Sequence, residues 1–405
     1  MKRPRILFLA HQPPWPSSGG GPVRTRCTLK SLASWADIEM ATFLRPGADP
    51  VVPEEIRALC RGGVHCLPLR KGALRDATVL AGGWLGATPW RIARDRSPGL
   101  AALVADRFDC VDAIHVDHLP MGSALPVARG TGPKVVLDCH NAEHRLFAGW
   151  VPFLAGGRVL VARREAHRLR DYEAEAVRRA DIVVATTAED RTALGSLPGA
   201  DPEKIHVVPV GMPLAPEIEP GPTQTPRLVV IGTWSWPPNE DALAWFASDI
   251  LPSLRRRVPD AVLEVAGRPG GRTFARSVDR PGMQWVGPVA SVDDFLAGAT
   301  VCVAPLRCGA GIRIKALDAL TRGVPVVATP IGAEGLPECA GVALAEDAAT
   351  FADRIATWLR DPVAARVAGS SARRSIAAAQ GPEIAEAAWR DVYARIGVRT
   401  EGEAR

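Results

Sequence analysis

The segment 302–320 combines glycines and basic residues in a pattern suited to binding an anion. A short apolar run is followed by Gly309 and Gly311, and a helical pattern opens near the second glycine. Glycines let the backbone approach a ligand closely, and the N–H groups of a first helical turn attract an anion. Arg313 and Lys315 stand in that first turn, where cations are unfavourable unless a phosphate lies between them and the helix. The pattern predicts a phosphate-binding loop; the alternative is a tight turn with solvated Arg and Lys.

A second set of candidates lies in the first half of the chain. His140 follows the apolar run Val135–Asp138, and a histidine at a strand end can donate a hydrogen bond to a substrate or steady a leaving oxygen. The alternative is a histidine satisfied by a backbone carbonyl. His118 and Glu143 are secondary candidates for the acceptor side of such a site. Arg24 opens a helical pattern, and we expect it either to reach an anionic ligand or to be solvated.

A glycine run, Gly19–Gly21, follows the first apolar run, and Gly20 in its centre is placed to meet a diphosphate. The run does not match the G-x-G-x-x-G fingerprint, and no acidic residue stands where a ribose-binding carboxylate would follow the second apolar run, which weighs against NAD. The sequence also lacks a D-x-D motif for bridging a diphosphate through a divalent cation, and it has no P-loop. We therefore predict a site that uses neither a metal ion nor a cofactor.

Composition excludes several classes of protein. The 405 residues are 47% hydrophobic and 23% charged, as in globular rather than disordered chains. The net charge of +5 suits an anionic ligand or a loose contact with a membrane surface, but no basic run interleaved with aromatic residues predicts binding to nucleic acid. The eight scattered cysteines form no CxxC pair, which favours a reducing compartment. Because the apolar run Ile6–Ala10 is too short for a signal sequence, we expect a cytoplasmic protein.

The elements that must position these residues follow from short Val- and Ile-rich runs that alternate with longer helical patterns. This alternation predicts βαβ units on parallel sheets, and the continuous apolar runs predict strands buried on both faces. The predicted strands are Ile6–Ala10, Ile38–Phe43, Ala113–Val116, Val135–Asp138, Ile182–Thr186, Ile205–Val208, Leu228–Ile231, Val262–Ala266, Met283–Val286, Val301–Ala304 and Val324–Ala328. The predicted helices are Val23–Trp35, Arg163–Arg179, Thr187–Gly195, Glu240–Arg257, Val292–Ala297, Arg313–Thr321 and Gly381–Gly397.

A proline-rich segment without apolar period, residues 212–226, interrupts the pattern and is predicted to be a linker. It separates an N-terminal Rossmann-like domain, residues 1–211, from a C-terminal one, residues 227–380. Residues 381–405 form a helix and tail that we expect to pack back on the N-terminal domain. The predicted fold is therefore α/β, with two doubly wound parallel-sheet domains facing across a cleft.

Several of these motifs together resemble the GT4-type retaining glycosyltransferases, a family of the GT-B superfamily. No single motif is decisive, but their order and spacing match over nearly the whole chain. The motifs that carry the resemblance are Ser17–Gly21, Leu137–Glu143, Val207–Gly211, Ile231–Asn239, Cys302–Leu320, Gly323–Thr329 and Gly332–Leu336. The resemblance implies a nucleotide-sugar donor bound to the C-terminal domain, and a histidine, His140 here, beside the transferred sugar.

The resemblance also assigns roles within the segment 302–320. Asp318 occupies the second acidic position of the family's E-x7-E motif, which holds the ribose hydroxyls, while the first position is Ala310. The two positions where the family usually carries cations hold Thr233 and Pro238. We hypothesise that Arg313 and Lys315 replace those cations, since two phosphates still require positive partners.

The sequence thus predicts a metal-independent transferase that moves a sugar from a nucleotide sugar to a glycan, lipid-linked or small-molecule acceptor, with retention as the family implies. The expected catalytic residues are His140, Arg313 and Lys315. The expected donor-binding residues are Gly20, Gly232, Gly309, Gly311 and Asp318, and the acceptor-side candidates are Arg24, His118 and Glu143. The basic helical pattern at 161–179 favours a solvated face, with a peripheral contact to the inner membrane surface as the alternative. Two other functions stay open: a nucleotide-sugar epimerase on the same fold, and a noncatalytic nucleotide-sugar-binding protein.

Overall fold

The computed structural model describes residues 3–15, 19–45, 47, 49–69, 86, 88–126, 132–154, 156–215 and 226–398. The chain forms two compact units, one comprising Met1–Gly211 with Pro382–Arg405 and the other Met212–Gly381. Ser17 and Ser18 of the motif Ser17–Gly21, and residues 216–225 of the predicted linker, lie outside the described residues.

The N-terminal unit is built on a parallel sheet whose described strands follow the order β3-β2-β1-β4-β5-β6-β7. The strands are β1 Arg5–Ala10, β2 Asp37–Leu44, β3 Gly63–Pro68, β4 Ala113–Asp117, β5 Lys134–Cys139, β6 Ile182–Ala185 and β7 Ile205–Val207. The strand order reverses between β1 and β4, so the crevice outside their carboxyl ends is the ligand-binding position of a doubly wound sheet.

Helices connect these strands on both faces of the sheet. The described ones are α1 Gly20–Ala33, α2 Glu54–Leu59, α3 Trp90–Asp95, α4 Pro98–Arg107, α5 Glu143–Ala148, α6 Arg158–Arg179 and α7 Ala188–Gly195. The hydroxyl of Thr187 caps α7 by accepting from the backbone N–H of Asp190. Helix α1 begins three residues before the predicted Val23, so Gly20 belongs to its first turn and not to the preceding loop.

The second unit repeats the architecture, with described strands in the order β10-β9-β8-β11-β12-β13. Its strands are β8 Leu228–Thr233, β9 Leu263–Arg268, β10 Met283–Gly287, β11 Val301–Ala304, β12 Val326–Ala328 and β13 Val342–Leu344. Every pair is parallel, and the order reverses between β8 and β11. The second switch point therefore lies where β11 leads into the glycine-bearing loop.

The helices of the second unit begin after β8. They are α8 Pro237–Trp245, α9 Leu251–Arg255, α10 Arg272–Val278, α11 Val292–Leu296, α12 Ile314–Thr321, α13 Ala348–Arg360 and α14 Pro362–Gln380. A π-helical turn, Phe246–Ile250, lies between α8 and α9 and divides the single helix predicted there. Helix α8 begins at Pro237, three residues before the predicted Glu240, so Asn239 lies in its first turn and its side chain donates to the carbonyl of Thr233 at 3.0 Å.

The last helix, α15 Pro382–Arg395, belongs to the N-terminal unit and packs on α1. Its Trp389 and Tyr393 are fully buried in the cluster that covers one face of the sheet around Ile6 and Phe8 of β1. Leu7 and Leu9 of the same strand enter the core on the opposite face, as the alternation of a strand requires. Among the described residues, no helix combines the length and hydropathy that a bilayer crossing requires.

Candidate functional site

In the second unit, the segment between β11 and α12 is a loop whose backbone conformation favours glycine at two positions. Gly309 has φ +142° and Gly311 has φ +82°, backbone conformations that are strained for a residue with a side chain. A Cβ on Gly309 would also lie 2.8 Å from the Arg313 guanidinium. The loop is therefore folded tightly against Arg313, the residue that precedes α12.

The Arg313 guanidinium joins this loop to its neighbour. Its Nε donates to the carbonyl of Ile331 at 3.0 Å and its Nη1 to the carbonyl of Ala310 at 3.0 Å, with Glu334 at 3.8 Å from Nη2. The hydroxyl of Thr329 bridges the same two loops by donating to Leu306 and accepting from the N–H of Gly332. Arg313 thus holds the two loops together in this structure. The sequence had predicted that its guanidinium contacts a phosphate instead.

Lys315 lies in the first turn of α12 and is partly buried. Burial lowers the pKa of its ammonium to about 8; the positive charge of Arg268 acts in the same direction, and the negative charge of Asp318 opposes it. The Lys315 charge is thus held in a desolvated position at a helix N-terminus, where it is unfavourable without an anion. Lys315 therefore remains the best placed of the predicted cations.

Asp318, predicted to hold ribose, lies one turn further along α12. Its carboxylate accepts from Nη1 of Arg322 at 3.3 Å, and Arg322 in turn donates from Nε to Asp293 at 2.7 Å. Burial raises the pKa of Asp318 to about 6, although Arg322 opposes the shift. The carboxylate is 16% exposed and shares its guanidinium partner with Asp293, so one side of it stays accessible to a ligand.

Gly232, predicted to bind the donor, has a packing role. A Cβ there would lie 2.6 Å from the ring of Trp234, which is buried and donates from Nε1 to the carbonyl of Ala266 at 2.9 Å. A Cβ on Gly267, near the end of the neighbouring strand, would lie 1.8 Å from the Gly232 carbonyl oxygen. These glycines allow β8, β9 and Trp234 to approach closely, which explains them without a ligand.

In the N-terminal unit, the sequence candidates His118 and His140 meet on a carboxylate that the sequence interpretation missed. Asp117, the last residue of β4, has Oδ1 at 2.7 Å from Nε2 of His140 and Oδ2 at 3.3 Å from Nδ1 of His118. The hydroxyl of Thr25 on α1 donates to Oδ2 at 2.9 Å. The only sequence signal was the paired Asp-His at the end of a buried strand.

A second buried carboxylate, Asp138, lies beside the first. Arg24 donates from Nη2 to Asp138 Oδ1 at 2.8 Å and from Nη1 to the carbonyl of Val208 at 3.3 Å. Arg24 is only 2% exposed, so the expectation that it is solvated or reaches an anionic ligand is wrong. His115 lies 3.7 Å from Asp138 Oδ2 and hydrogen-bonds to the hydroxyl of Tyr393, which makes it part of the core.

Glu143, a predicted acceptor-side residue, is likewise buried. Its carboxylate accepts from Nη2 of Arg91 at 3.3 Å, and its backbone N–H donates to Glu173 at 2.8 Å. Glu173 also accepts from Nδ1 of His144 at 2.5 Å. This network anchors the start of α5 to α6, which gives Glu143 a structural role.

The electrostatics of the two histidines differ although both face Asp117. Burial lowers the pKa of His140, and the nearby His118 lowers it further. Burial also acts against the charge of His118, but the hydrogen bond and charge of Asp117 outweigh it and raise the pKa. For Asp117, the two histidines overcome the effect of burial and hold the pKa well below its usual range.

The donor atoms of Asp117, His118 and His140 lie within 4.8 Å of one another, a set that zinc would accept. In this structure those atoms are engaged with one another, because the carboxylate only accepts and each imidazole nitrogen facing it donates. The three side chains therefore form a hydrogen-bonded network at the carboxyl ends of β4 and β5.

Comparison with known proteins covers both units. A family model described as glycosyl transferase 4-like domain matches residues 19–211, and one described as glycosyl transferases group 1 matches residues 225–361. A curated relative, an uncharacterized 44.6 kDa protein in the cps region of Klebsiella pneumoniae, is 24% identical over 145 residues. This match spans 33% of the chain and only 37% of the length of that relative.

Solved structures share the fold over nearly the whole chain. Anabaena HepE in complex with UDP-glucose superposes with a TM-score of 0.67 at 15% identity, covering 96% of this chain and 100% of that one. A mutant of S. aureus TarM, in complex with fondaparinux, alpha-GlcNAc-glycerol and UDP, gives a TM-score of 0.69 at 11% identity over 96% and 99% of the two chains. Given the two parallel-sheet units, the predicted GT-B fold is confirmed, and the chain belongs to the group 1, GT4-like glycosyltransferases.

Proposed function

We propose that the protein transfers a hexosyl unit from a nucleoside-diphosphate sugar to a glycan, lipid-linked or small-molecule acceptor. The observation that carries the proposal is the desolvated ammonium of Lys315 at the start of α12, directly after the glycine loop at the switch point of its sheet. A diphosphate there would supply the negative charge that both the lysine and the helix N-terminus lack. Solved structures of the same fold contain UDP or UDP-glucose, which supports this class of donor.

The roles within each unit follow from the geometry. In the C-terminal unit, Lys315 and the backbone of Gly309–Gly311 would stabilise the negative charge that develops on the departing diphosphate. Asp318 would accept hydrogen bonds from ribose on the side away from Arg322. In the N-terminal unit, His140 would contact the transferred sugar, while Arg313 would act indirectly by keeping the loop folded.

The donor-binding test uses the full chain and thermal shift against a panel of nucleoside diphosphates and their sugar conjugates. A ligand that binds only the native state raises the melting temperature, by an amount that follows its concentration relative to Kd. We expect a shift with one nucleotide series, lost in Lys315→Met and kept in Lys134→Met, a control at a half-exposed lysine of the other unit. No shift with any nucleotide or nucleotide sugar would refute the proposed donor class.

Turnover then separates transfer from its alternatives. Donor and a panel of acceptors should give a glycosylated product in the presence of EDTA, because the proposed site neutralises the diphosphate with Lys315 and backbone N–H groups. We propose retention of the anomeric configuration, which NMR of the product would read from the anomeric coupling constant. An isomerised donor formed without acceptor would identify an epimerase, and donor binding without turnover on any acceptor would identify a binding protein.

We also propose that the N-terminal unit touches an anionic membrane surface. Apolar side chains are exposed around the start of α6, with Leu160 71% exposed, and Phe153 and Val161 lie in the same segment. Arg163 and Arg164 follow on the exposed side of the helix. An apolar patch beside arginines suits the interface of anionic lipids.

The membrane contact is tested by co-sedimentation with vesicles. Leu160→Asp combined with Val161→Asp should abolish binding to vesicles containing anionic lipid, and Val363→Asp with Val367→Asp, at equally exposed sites of the other unit, should not. Equal retention of the wild-type protein by anionic and zwitterionic vesicles, or by neither, would contradict the proposal.

A further inference from the structure

Arg268 is the last residue of β9, and its backbone is fixed against β8 at the carboxyl edge of the second sheet. The two strands run parallel with Arg268 opposite Thr233, and the N–H of Trp234 donates to the Arg268 carbonyl at 3.0 Å. Gly267, with φ +116°, allows the two strands to approach closely at this point. Main-chain contacts therefore set the position of Arg268, and its guanidinium takes no part in them.

The Arg268 side chain is exposed, and no hydrogen bond or ion pair joins it to another residue that the structure describes. Other arginines of the same unit are paired with carboxylates. Arg307, in the glycine loop, donates from Nε to Asp241 at 3.0 Å. Arg322, directly after α12, donates from Nη1 to Asp318 at 3.3 Å. These carboxylates are therefore engaged, and the charge of Arg268 stays uncompensated within the described part of the chain.

Lys315 is a second cation that forms no hydrogen bond or ion pair with its side chain to the described residues. Strand β8 lies between β9 and β11, so Arg268 and the loop that leads into α12 are two strand spacings apart, about 10 Å. Two long side chains can bridge such a gap from opposite sides. Burial lowers the pKa of Lys315 most, and the charge of Arg268 acts in the same direction. The two cations therefore repel each other in the free protein.

An anion between the two side chains would turn this repulsion into attraction. A guanidinium can donate two parallel N–H bonds to one phosphate, while an ammonium acts as a compact point charge. A diphosphate carries negative charge on each of two linked phosphates, so each cation can have a partner of its own. Backbone N–H groups at the start of α12 add neutral donors on the side of Lys315. A monophosphate would leave one of the two cations unpaired.

We propose that Arg268 and Lys315 together bind the diphosphate of the donor, with the guanidinium on one phosphate and the ammonium on the other. The inference rests on the proposed transfer from a nucleoside-diphosphate sugar and adds a second cation to the site of that donor. It assigns to Arg268 a direct contact with the substrate. It also predicts that the number of phosphates decides which nucleotides bind, so nucleoside diphosphates should bind more tightly than the corresponding monophosphates.

The first test is isothermal titration calorimetry on the full chain at pH 7. It compares UDP with UMP, GDP with GMP, ADP with AMP, and inorganic pyrophosphate with phosphate. For the diphosphate that binds, Arg268→Met should lower the affinity by about 10- to 100-fold, as expected for the loss of a charged hydrogen-bonding partner. The affinity for the matching monophosphate should change less, so the preference for the diphosphate shrinks. Arg268→Lys, which keeps the charge, should recover part of the loss.

Arg276→Met is the matched control for the change in charge. Arg276 lies in the last turn of α10, is also exposed, and is also without an ion pair to the residues that the structure describes. Its replacement alters the net charge by the same amount, and the affinity for every nucleotide should stay at the wild-type value. An equal loss of affinity in both variants would attribute the effect to net charge and overturn the inference.

The second test needs no ligand. The pKa of Lys315, read from 1H–13C NMR of the lysine side chains and assigned with Lys315→Met, should rise in Arg268→Met because a neighbouring positive charge is removed. The other groups that act on Lys315, Asp318 and Cys302, are the same in both proteins. Arg276→Met should leave this pKa unchanged. An unchanged pKa in Arg268→Met would show that the two cations do not share a site, against the inference.

The outcomes separate this inference from the proposed function. Equal affinities of folded Arg268→Met and wild type for the diphosphate would refute the role of Arg268 and leave the proposed function standing. A wild-type protein that binds none of the nucleotides would refute the proposed donor class. In that case, weaker binding of pyrophosphate to Arg268→Met would still support the paired cations, and absence of pyrophosphate binding would refute both proposals.

Discussion

Donor binding should weaken as pH rises through about 8, because the proposed phosphate partner loses its charge there. Burial lowers the pKa of Lys315 to about 8 in the free protein. A diphosphate binds the charged form, so its affinity follows the protonated fraction of this lysine. A nucleotide sugar has no phosphate group that titrates in this range, so the donor phosphates do not cause the change.

The magnitude follows from that pKa. With a pKa of about 8, roughly nine tenths of Lys315 is charged at pH 7 and roughly one tenth at pH 9. Donor affinity should therefore fall about tenfold between these values, or about 1.4 kcal/mol. Bound diphosphate raises the pKa of the lysine, so binding at pH 8 to 9 should also take up a fraction of a proton.

Stability should change in the opposite direction. The pKa of Lys315 is lower in the folded protein than its ordinary value of 10.5, so the unfolded chain binds this proton more tightly. The contribution of this lysine to the free energy of unfolding therefore rises with pH between about 8 and 10.5. Weaker donor binding above pH 8 would thus not reflect an unfolding caused by this residue.

The assay is isothermal titration calorimetry with an intact nucleotide sugar from pH 6.5 to 9.5, in two buffers that differ in ionisation enthalpy. Lys315→Met should bind weakly and lose the pH slope and the proton uptake, while Lys134→Met should keep both. A slope that survives in Lys315→Met would refute the reasoning, because another group would then be titrating against the donor.

Three further outcomes follow from particular contacts. In the wild-type protein, donor affinity measured by calorimetry should fall below about pH 6, because the Asp318 carboxylate is protonated there and loses its acceptor role toward ribose. Asp318→Asn should not show this fall. Arg24→Met leaves a buried carboxylate without its cation and should lower the free energy of unfolding in urea by about 3–5 kcal/mol, against about 0–1 kcal/mol for Arg26→Met, at a partly exposed arginine. Gly267→Ala places a Cβ 1.8 Å from a carbonyl oxygen and should prevent folding or cost more than about 3 kcal/mol. Gly287→Ala, with positive φ but open space, should cost about 1–2 kcal/mol in the same measurement.

The sheets could be predicted where strands are buried on both faces. The apolar run Ile6–Ala10 lies within the fully buried part of β1, and similar runs marked most strands of both sheets. Strand β3, Gly63–Pro68, was not predicted from the sequence, because this edge strand has no fully buried residue and contains His65 and Cys66. Strand β13, Val342–Leu344, was not predicted either, because its three residues are too few to show a period.

The site was predictable in its location but not in its contacts. Glycines and charged residues after strands mark the carboxyl edge of a parallel sheet, which is where His140 and Lys315 are found. Their partners come from elsewhere in the chain. Asp117 precedes His140 by 23 residues, and Arg24 reaches a carboxylate 114 residues away. Pairing of this kind is set by strand order and register, which local patterns do not contain.

The distribution of charge at the two switch points indicates that the two units bind different parts of the donor. In the N-terminal unit the cations near the site are matched internally, Arg24 by Asp138 and His118 by Asp117, so this edge offers hydrogen bonds with little net charge. In the C-terminal unit Asp318 shares Arg322 with Asp293, whereas Lys315 lies at the start of α12 with the positive charge of Arg268 near it. A neutral sugar suits the first environment and a diphosphate the second. We infer that donor affinity resides chiefly in the C-terminal unit, and that the paired histidines of the N-terminal unit act on the sugar itself.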